Sequence, residues 1–395
     1  MLAGCERALA EVDLEAIRHN VRRLSRDLTG GAVHCAVVKA NGYGHGAVPA
    51  ARAALEAGSA WLGVAAVAEA EELRAAGLTA RVLIFGPLTG AELTRAVSAH
   101  ADVVAWSPAF LADARRLRAR VHVKFDSGMG RLGVTAEEAR TMCAAAAGDG
   151  LLVGLMSHFA TADEADTAFF YSQLERFEAL AGELKTTYPD LLCHTANSAA
   201  ALREPRSHFS MIRTGIAMYG LAPGNDDPFK DDLRPAMKLS SYVAGVRVVE
   251  PGGSVGYGRR FVAEERCRVA IVPIGYADGV RRLLTNQGDV LVAGRRCRIT
   301  GTVSMDQLTV LLPGDWGAPG DEVVLFGAAG DGSGGPAALR AANGAVPAGP
   351  RIDAPGAPRI LCEEVAQLLQ TINYEVACDV APRVVRRYRG AEPAP

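Results

Sequence analysis

Val33-His-Cys-Ala-Val-Val-Lys39-Ala-Asn-Gly-Tyr43-Gly-His-Gly46 sets the reading of the whole chain. An apolar run too short for a helix ends on a lysine, and three glycines and a tyrosine follow. Such a pattern describes a buried strand running into a turn. The same unit recurs outward along the chain. Strand-like runs lie at Val33–Lys39, Trp61–Ala65, Val82–Phe85, Asp102–Ala105, Val121–Phe125, Leu152–His158, Leu192–Ala196 and Phe209–Arg213. Helical stretches separate them, at Val67–Ala76, Ala91–Ala99, Pro108–Arg118, Ala136–Ala146 and Ala165–Thr186. In the last of these, Phe169, Phe170, Leu174, Phe177, Leu180 and Leu184 recur at the spacing of one helix face. Eight strands in a βα rhythm, continuously apolar rather than alternating, predict an α/β fold built as an eight-stranded parallel barrel. An open doubly wound sheet shares that rhythm and remains the second topology.

Beyond Gly224 the character changes. Residues 225–238 carry Asp226, Asp227, Asp231, Asp232, Pro228 and Pro235 and read as a linker. Then come β-type runs without long helices: Ser241–Val249, Arg268–Ile274, Asp289–Val292, Cys297–Val303, Leu308–Leu312 and Glu322–Phe326. Pro-Gly pairs at 251, 313 and 319 punctuate them. The expected organisation is a barrel over 13–234 followed by a C-terminal all-β domain over 235–390. Gly, Ala and Pro dominate residues 328–358, which read as a flexible surface insertion.

The composition closes several function classes. With 395 residues, 42 Lys+Arg against 44 Asp+Glu and a net charge of −2, no extended basic surface for nucleic acid is expected. No apolar run is long enough for a membrane span, and the charged start of the chain fits no signal peptide. The eight cysteines form no C-x-x-C pair, and no histidine cluster has zinc spacing, so a reduced, cytoplasmic chain without a metal is expected. Only five basic residues are lysines: Lys39, Lys124, Lys185, Lys230 and Lys238. Lys39 and Lys124 end apolar strands; the other three read as surface positions where arginine could serve.

A lysine leaving an apolar strand is partly desolvated, which favours its neutral amine. Lys39 could then be a Schiff-base nucleophile or a proton acceptor, or it could simply extend its amine to solvent. The stretch around it resembles the pyridoxal-phosphate (PLP) attachment motif of alanine racemases. Seven further segments carry the same resemblance in family order: Lys124-Phe-Asp-Ser-Gly-Met-Gly-Arg131-Leu-Gly133, Ser157-His158-Phe-Ala-Thr-Ala-Asp163-Glu164, His194-Thr-Ala-Asn-Ser198, Met211-Ile-Arg213-Thr-Gly-Ile216 with Met218-Tyr-Gly-Leu221, Pro273-Ile-Gly-Tyr276-Ala-Asp-Gly279, Ser304-Met305-Asp306-Gln307 and Thr371-Ile-Asn-Tyr374-Glu375. Together they run from residue 36 to 375. The barrel motifs all fall at the C-terminal ends of the expected strands, where barrel enzymes keep their sites.

The resemblance implies a PLP-dependent homodimeric racemase that interconverts L- and D-alanine for cell-wall precursors, with residues 1–12 adding a strand to the β domain. Lys39 would hold the cofactor covalently and act as base on one face of the substrate Cα, with Tyr276 on the other. His158 and Arg213 would relay to Tyr276, and Arg213 would face the pyridine nitrogen. Tyr43, Ser198, Gly215, Ile216 and Tyr374 would hold the phosphate. Arg131 would meet the substrate carboxylate, and Lys124 resembles a lysine that many relatives carbamylate. Met305 and Asp306 would reach the substrate from the partner subunit, and Asp163 and Ile372 would border the entry. The chain departs from the family at Thr302, where many relatives carry an arginine lining the entry corridor, and in the length of 328–358. Three other classes stay open: a racemase of serine or a broader set, a barrel-type PLP decarboxylase, and a non-catalytic PLP carrier.

Overall fold

The computed structural model describes residues 6–329 and 357–390. Most of the expected insertion at 328–358 therefore lies outside the described residues. The chain divides into two compact units, one of Glu15–Leu233 and one joining Met1–Leu14 to Arg234–Pro395.

The first strand, β1 (Leu9–Asp13), belongs to the second unit. The first unit contains β2 (Val33–Val37), β3 (Trp61–Val64), β4 (Arg81–Ile84), β5 (Ala101–Ala105), β6 (Val121–Lys124), β7 (Leu152–Met156), β8 (Leu192–His194) and β9 (Met211–Thr214). They form one sheet in the order β8-β7-β6-β5-β4-β3-β2-β9, all pairs parallel. The seam between β8 and β9 is closed by the Ser210 N–H donating to the Cys193 carbonyl (2.9 Å) and the Arg213 N–H to the Ala196 carbonyl (3.1 Å). The sheet is thus a barrel, and the open sheet is excluded. Strands such as β3 and β5 are buried at every position, the burial that makes parallel strands read as unbroken apolar runs.

Short helices return the chain between strands. Two of them, Gly90–Ser98 and Ala136–Gly148, open on capping boxes, Thr89 with Glu92 and Thr135 with Glu138. The helix Ala168–Thr187 buries Phe170, Leu174, Phe177, Leu180 and Leu184, each worth roughly 1.5–3 kcal/mol. Phe169, expected on the same stripe, is instead exposed. The helix starts three residues later than its apolar periodicity suggests, where the Asp166 carboxylate accepts the Ala168 N–H (3.0 Å).

The second unit is mostly β. Its strands are β10 (Met237–Tyr242), β11 (Gly245–Val249), β12 (Ser254–Val255), β13 (Phe261–Val262), β14 (Cys267–Val272), β15 (Asp289–Val292), β16 (Arg295–Arg298), β17 (Leu308–Leu312), β18 (Glu322–Ala328), β19 (Arg359–Ile360) and β20 (Val385–Arg389). One sheet runs β16-β15-β18-β10-β1-β20 with β19 beside β18; a second runs β11-β14-β17; β12 and β13 pair alone. Several expectations change here. Ser241–Val249 is not one strand: the chain leaves the first sheet at Tyr242 and enters the second at Gly245. The expected strand at Cys297–Val303 is the hairpin arm β16, which begins earlier and ends at Arg298. Helices Cys362–Leu369 and Asn373–Cys378 interrupt the β pattern.

Lys238 is the clearest correction. It is not a surface lysine of a linker but a residue of β10 with 1% exposure, paired with Glu11 of β1 and with Glu322 of β18 at 2.8 Å. A buried ammonium needs that pairing, and its two partners are far away in sequence.

Candidate active site

Lys39 lies two residues past the end of β2, and the chain turns there in an unusual way. Ala40, Asn41, Gly42 and Tyr43 have φ of 52°, 51°, 61° and 51°. Left-handed backbone costs a non-glycine residue roughly 1–2 kcal/mol, so something must hold this turn. The Ala40 N–H donates to Glu69 Oε1 (2.7 Å), the Gly42 N–H to the Val38 carbonyl (2.9 Å) and the Ala47 N–H to Asn41 Oδ1 (3.0 Å). The turn buries Tyr43 and packs its ring against Tyr219 in a tilted pair, 5.2 Å between centroids. Strain held this firmly is typical of functional sites.

At β9 and its turn, the Ser198 hydroxyl accepts the N–H groups of Gly215 (3.0 Å) and Ala217 (3.3 Å). A Cβ on Gly215 would collide with the Tyr43 hydroxyl. Glycine is therefore what lets a phenol, a serine hydroxyl and the backbone amides around buried Ile216 converge. Hydroxyls and N–H groups gathered at such a turn suit a phosphate.

Arg213 is buried within β9. Its Nη1 donates to His194 Nδ1 (2.8 Å), and its Nη2 faces the carbonyls of Ser157 (2.9 Å) and Thr195 (3.1 Å) and His158 Nδ1 (3.2 Å). Burial lowers the guanidinium to about 10, so it remains a cation at neutral pH. Burial first, then the Arg213, Lys124, Arg131 and Lys39 charges, push His158 well below its ordinary value. A neutral His158 accepting at Nδ1 carries its proton on Nε2.

Behind Arg213 lies a chain of groups that strand patterning did not single out. His194 accepts from Arg213, so its Nε2 carries the proton and donates to His122 Nδ1 (2.8 Å). The remaining His122 nitrogen faces Asp102 Oδ2 at 3.5 Å. Burial alone would raise the Asp102 carboxyl, but His122, Arg81 and Arg120 outweigh it and keep Asp102 ionised. A cation at one end and an anion at the other fix both imidazole tautomers. The only signal in sequence was a polar residue at an inward position of an otherwise apolar strand, and the pairing of 122 with 194 needs the closed barrel.

Lys124 ends β6 and is almost fully buried. Burial, then the Arg213 and Arg131 charges, pull its ammonium down to about 7. Asp126 raises it again only weakly. The Asp126 carboxylate is already engaged with the N–H groups of Gly128 (2.9 Å), Met129 (2.7 Å) and Gly130 (3.0 Å). The loop so formed exposes Arg131.

Tyr276, Met305, Asp306 and Tyr374 belong to the other unit. Tyr276 lies in a one-turn 3₁₀ segment and is 43% exposed; Met305 is 52% exposed. Asp306 accepts from Arg383 Nη2 (2.7 Å), and Tyr374 sits half-buried in the helix Asn373–Cys378. Thr302 is buried, its hydroxyl donating to the Tyr257 carbonyl (2.6 Å). Asp163 and Ile372 are exposed.

Among the described residues, no helix is long and apolar enough to cross a membrane, and no group of three or more His, Cys, Asp or Glu could hold a metal ion.

Residues 12–223 match the family model of the alanine racemase N-terminal domain, and residues 236–348 that of the C-terminal domain. The alanine racemase of Thermobifida fusca is 41% identical over 97% of this chain and 98% of its own length. That of Desulfovibrio desulfuricans is 40% identical over 96% and 97%. Among solved structures, the alanine racemase of Streptomyces lavendulae has a TM-score of 0.85 at 37% identity, covering 98% of this chain and 97% of that one. The alanine racemase of Bacillus anthracis with bound L-Ala-P has a TM-score of 0.84 at 34% identity, covering 98% and 96%. With the barrel, the β unit and the turn at Lys39 all accounted for over nearly its full length, this chain belongs to the alanine racemase family.

Proposed function

We propose that the chain interconverts L- and D-alanine by proton transfer at Cα with pyridoxal 5′-phosphate as cofactor. The observation that carries this reading is the buried Arg213 cation, fixed by two histidines and two carbonyls on the same barrel in which Lys39 opens the turn after β2. The residues fit the group. A hydroxyl and amide cluster at Tyr43, Ser198, Gly215 and Ile216 suits its phosphate, Tyr374 would supply a further hydroxyl, and Lys39 has the amine that would hold its aldehyde carbon. When bound, the cofactor supplies an electron sink that makes the substrate Cα–H acidic.

The chain's own groups do the rest. Arg213, ionised to about pH 10, would offer a hydrogen bond to a ring nitrogen without surrendering its proton. By keeping its proton, Arg213 would leave the cofactor a weaker electron sink, which would favour proton exchange over decarboxylation. Lys39 Nζ and the Tyr276 hydroxyl, on opposite faces of Cα, would remove and return the proton. His158, neutral and carrying its proton on Nε2, would relay between Arg213 and that phenol. Arg131 would bind the substrate carboxylate. Lys124, near half-neutral at pH 7, would take up carbon dioxide as a carbamate, changing a cation beside Arg131 into an anion that orients it.

The exposure of Tyr276 and Met305 supports a homodimer in which they reach the partner's site together with Asp306. Free thiols at the described cysteines support a reducing cytoplasm, where D-alanine would enter cell-wall precursors. Loss of optical rotation from either alanine enantiomer, by protein with an intact PLP absorbance, tests the function; no turnover under those conditions refutes it. A broader substrate range is favoured by one observation, the buried Thr302, and turnover of serine, lysine and arginine beside alanine measures it.

A further inference from the structure

Two loops of the β unit carry groups assigned above to the substrate, and they are held together in a way stability alone does not require. The Tyr276 N–H donates to the Ser304 carbonyl (3.0 Å) and the Ala277 N–H to the Met305 carbonyl (3.0 Å). Gly275 allows that approach, since a Cβ there would run into both carbonyls. Beneath Tyr276 lies Asp278, whose side chain has no exposed surface. Its Oδ1 accepts from Arg7 Nη2 (2.5 Å) and Arg383 Nε (2.8 Å); its Oδ2 accepts from Arg7 Nη1 (2.9 Å) and the Gly275 N–H (2.9 Å). Four donors fill the carboxylate. Arg383 then extends to the second loop, its Nη2 donating to Asp306 Oδ1 at 2.7 Å.

We infer that Arg383 is a positioning residue, locking the Tyr276 loop to the Met305–Asp306 loop through Asp278 and Asp306 so that the phenol is presented in one orientation. The inference rests on the assignment of Tyr276 as an acid/base group. A planar guanidinium can address two carboxylates from one side chain, which an ammonium does poorly. An exposed Arg–Asp pair adds little to folding, so the Arg383–Asp306 contact acts on geometry. Arg7 pairs bidentately with Asp278 independently of Arg383, so removing Arg383 should leave the buried carboxylate partnered.

Two readouts test this with the full-length, PLP-loaded protein and alanine in deuterated water. Arg383→Met and Asp306→Asn should slow Cα hydrogen exchange about 10- to 100-fold from the one enantiomer that Tyr276 serves, the scale of a misplaced reacting group. In Arg383→Met, exchange from the other enantiomer should stay near the wild-type rate. Arg383→Lys should recover part of the loss. Independently of activity, the Tyr276 and Ala277 amides should exchange faster with solvent in both variants. Tyr276→Phe identifies the enantiomer concerned. A one-sided loss in Tyr276→Phe with none in Arg383→Met and Asp306→Asn overturns the inference alone. Equal loss from both enantiomers in Arg383→Met also overturns it. No one-sided loss in Tyr276→Phe overturns the base assignment and the inference with it. If Arg383→Met does not fold, Asp306→Asn, which leaves buried Asp278 untouched, decides the matter through amide exchange: unchanged protection of the Tyr276 and Ala277 amides overturns the inference.

Discussion

The barrel unit and the β unit hold their candidate site groups by opposite means. In the barrel, Arg213, Lys124 and Ser198 are buried, and low-dielectric surroundings move the ionisable groups far from their ordinary behaviour. In the β unit, Tyr276 and Met305 are exposed, and the anchoring arginines Arg7 and Arg383 are partly solvent-accessible. A buried cation such as Arg213 is pre-oriented whether or not a ligand is present, because its hydrogen bonds cannot be traded for water. Exposed groups acquire comparable strength only when something covers them. The barrel half is a finished electrostatic device; the β half is a positioned edge.

The largest expected effect falls on the barrel. Lys39→Ala should remove the PLP imine absorbance and lower racemisation by about a thousandfold or more, within or beyond the range of a lost acid/base group. Retained absorbance would move the attachment site off the strained turn and break the contrast. Next in size is Gly215→Ala, whose Cβ would collide with the Tyr43 hydroxyl. PLP titration should show affinity weakened about tenfold, near 1.4 kcal/mol, with no comparable effect from Gly→Ala at Gly245, which has open space.

A smaller effect concerns Lys124. Its ammonium is held near 7 when folded and at 10.5 otherwise. Between those values the unfolded chain binds the extra proton, so this group makes stability rise with pH. Lys124→Met, measured without added bicarbonate, should therefore be more stable than the parent at pH 7, with a gap that narrows as pH approaches 10. A gap that does not change with pH would mean the lysine is not desolvated.

The same contrast governs what could be read from the sequence. The barrel strands were legible because burial on both faces leaves room for few polar residues, so each strand stands out as a mostly apolar run. Its site residues were legible because they cluster where those runs end. Ser241–Val249 misled because an apolar run continues through Val243 while the backbone changes sheets. Lys238 misled because nothing near it in sequence announces Glu11 or Glu322 as partners. Asp102, His122 and His194 were invisible as a set, since only barrel closure brings strands β5, β6 and β8 to one interior line. Arg7, Asp278 and Arg383 form a cluster from both ends of the chain and its middle, a pairing that spacing cannot encode.

If the finished half and the positioned edge come from two different chains, two inactive variants should repair each other. Lys39→Ala and Tyr276→Phe proteins, each inactive alone, would be mixed, dissociated and allowed to reassociate with PLP. Random assortment in a twofold dimer leaves one intact site in the mixed species, so about a quarter of wild-type alanine racemisation should return. Mixed dimers that form and remain inactive would contradict the shared site, and with it the account of how Lys39 and Tyr276 come to face one Cα.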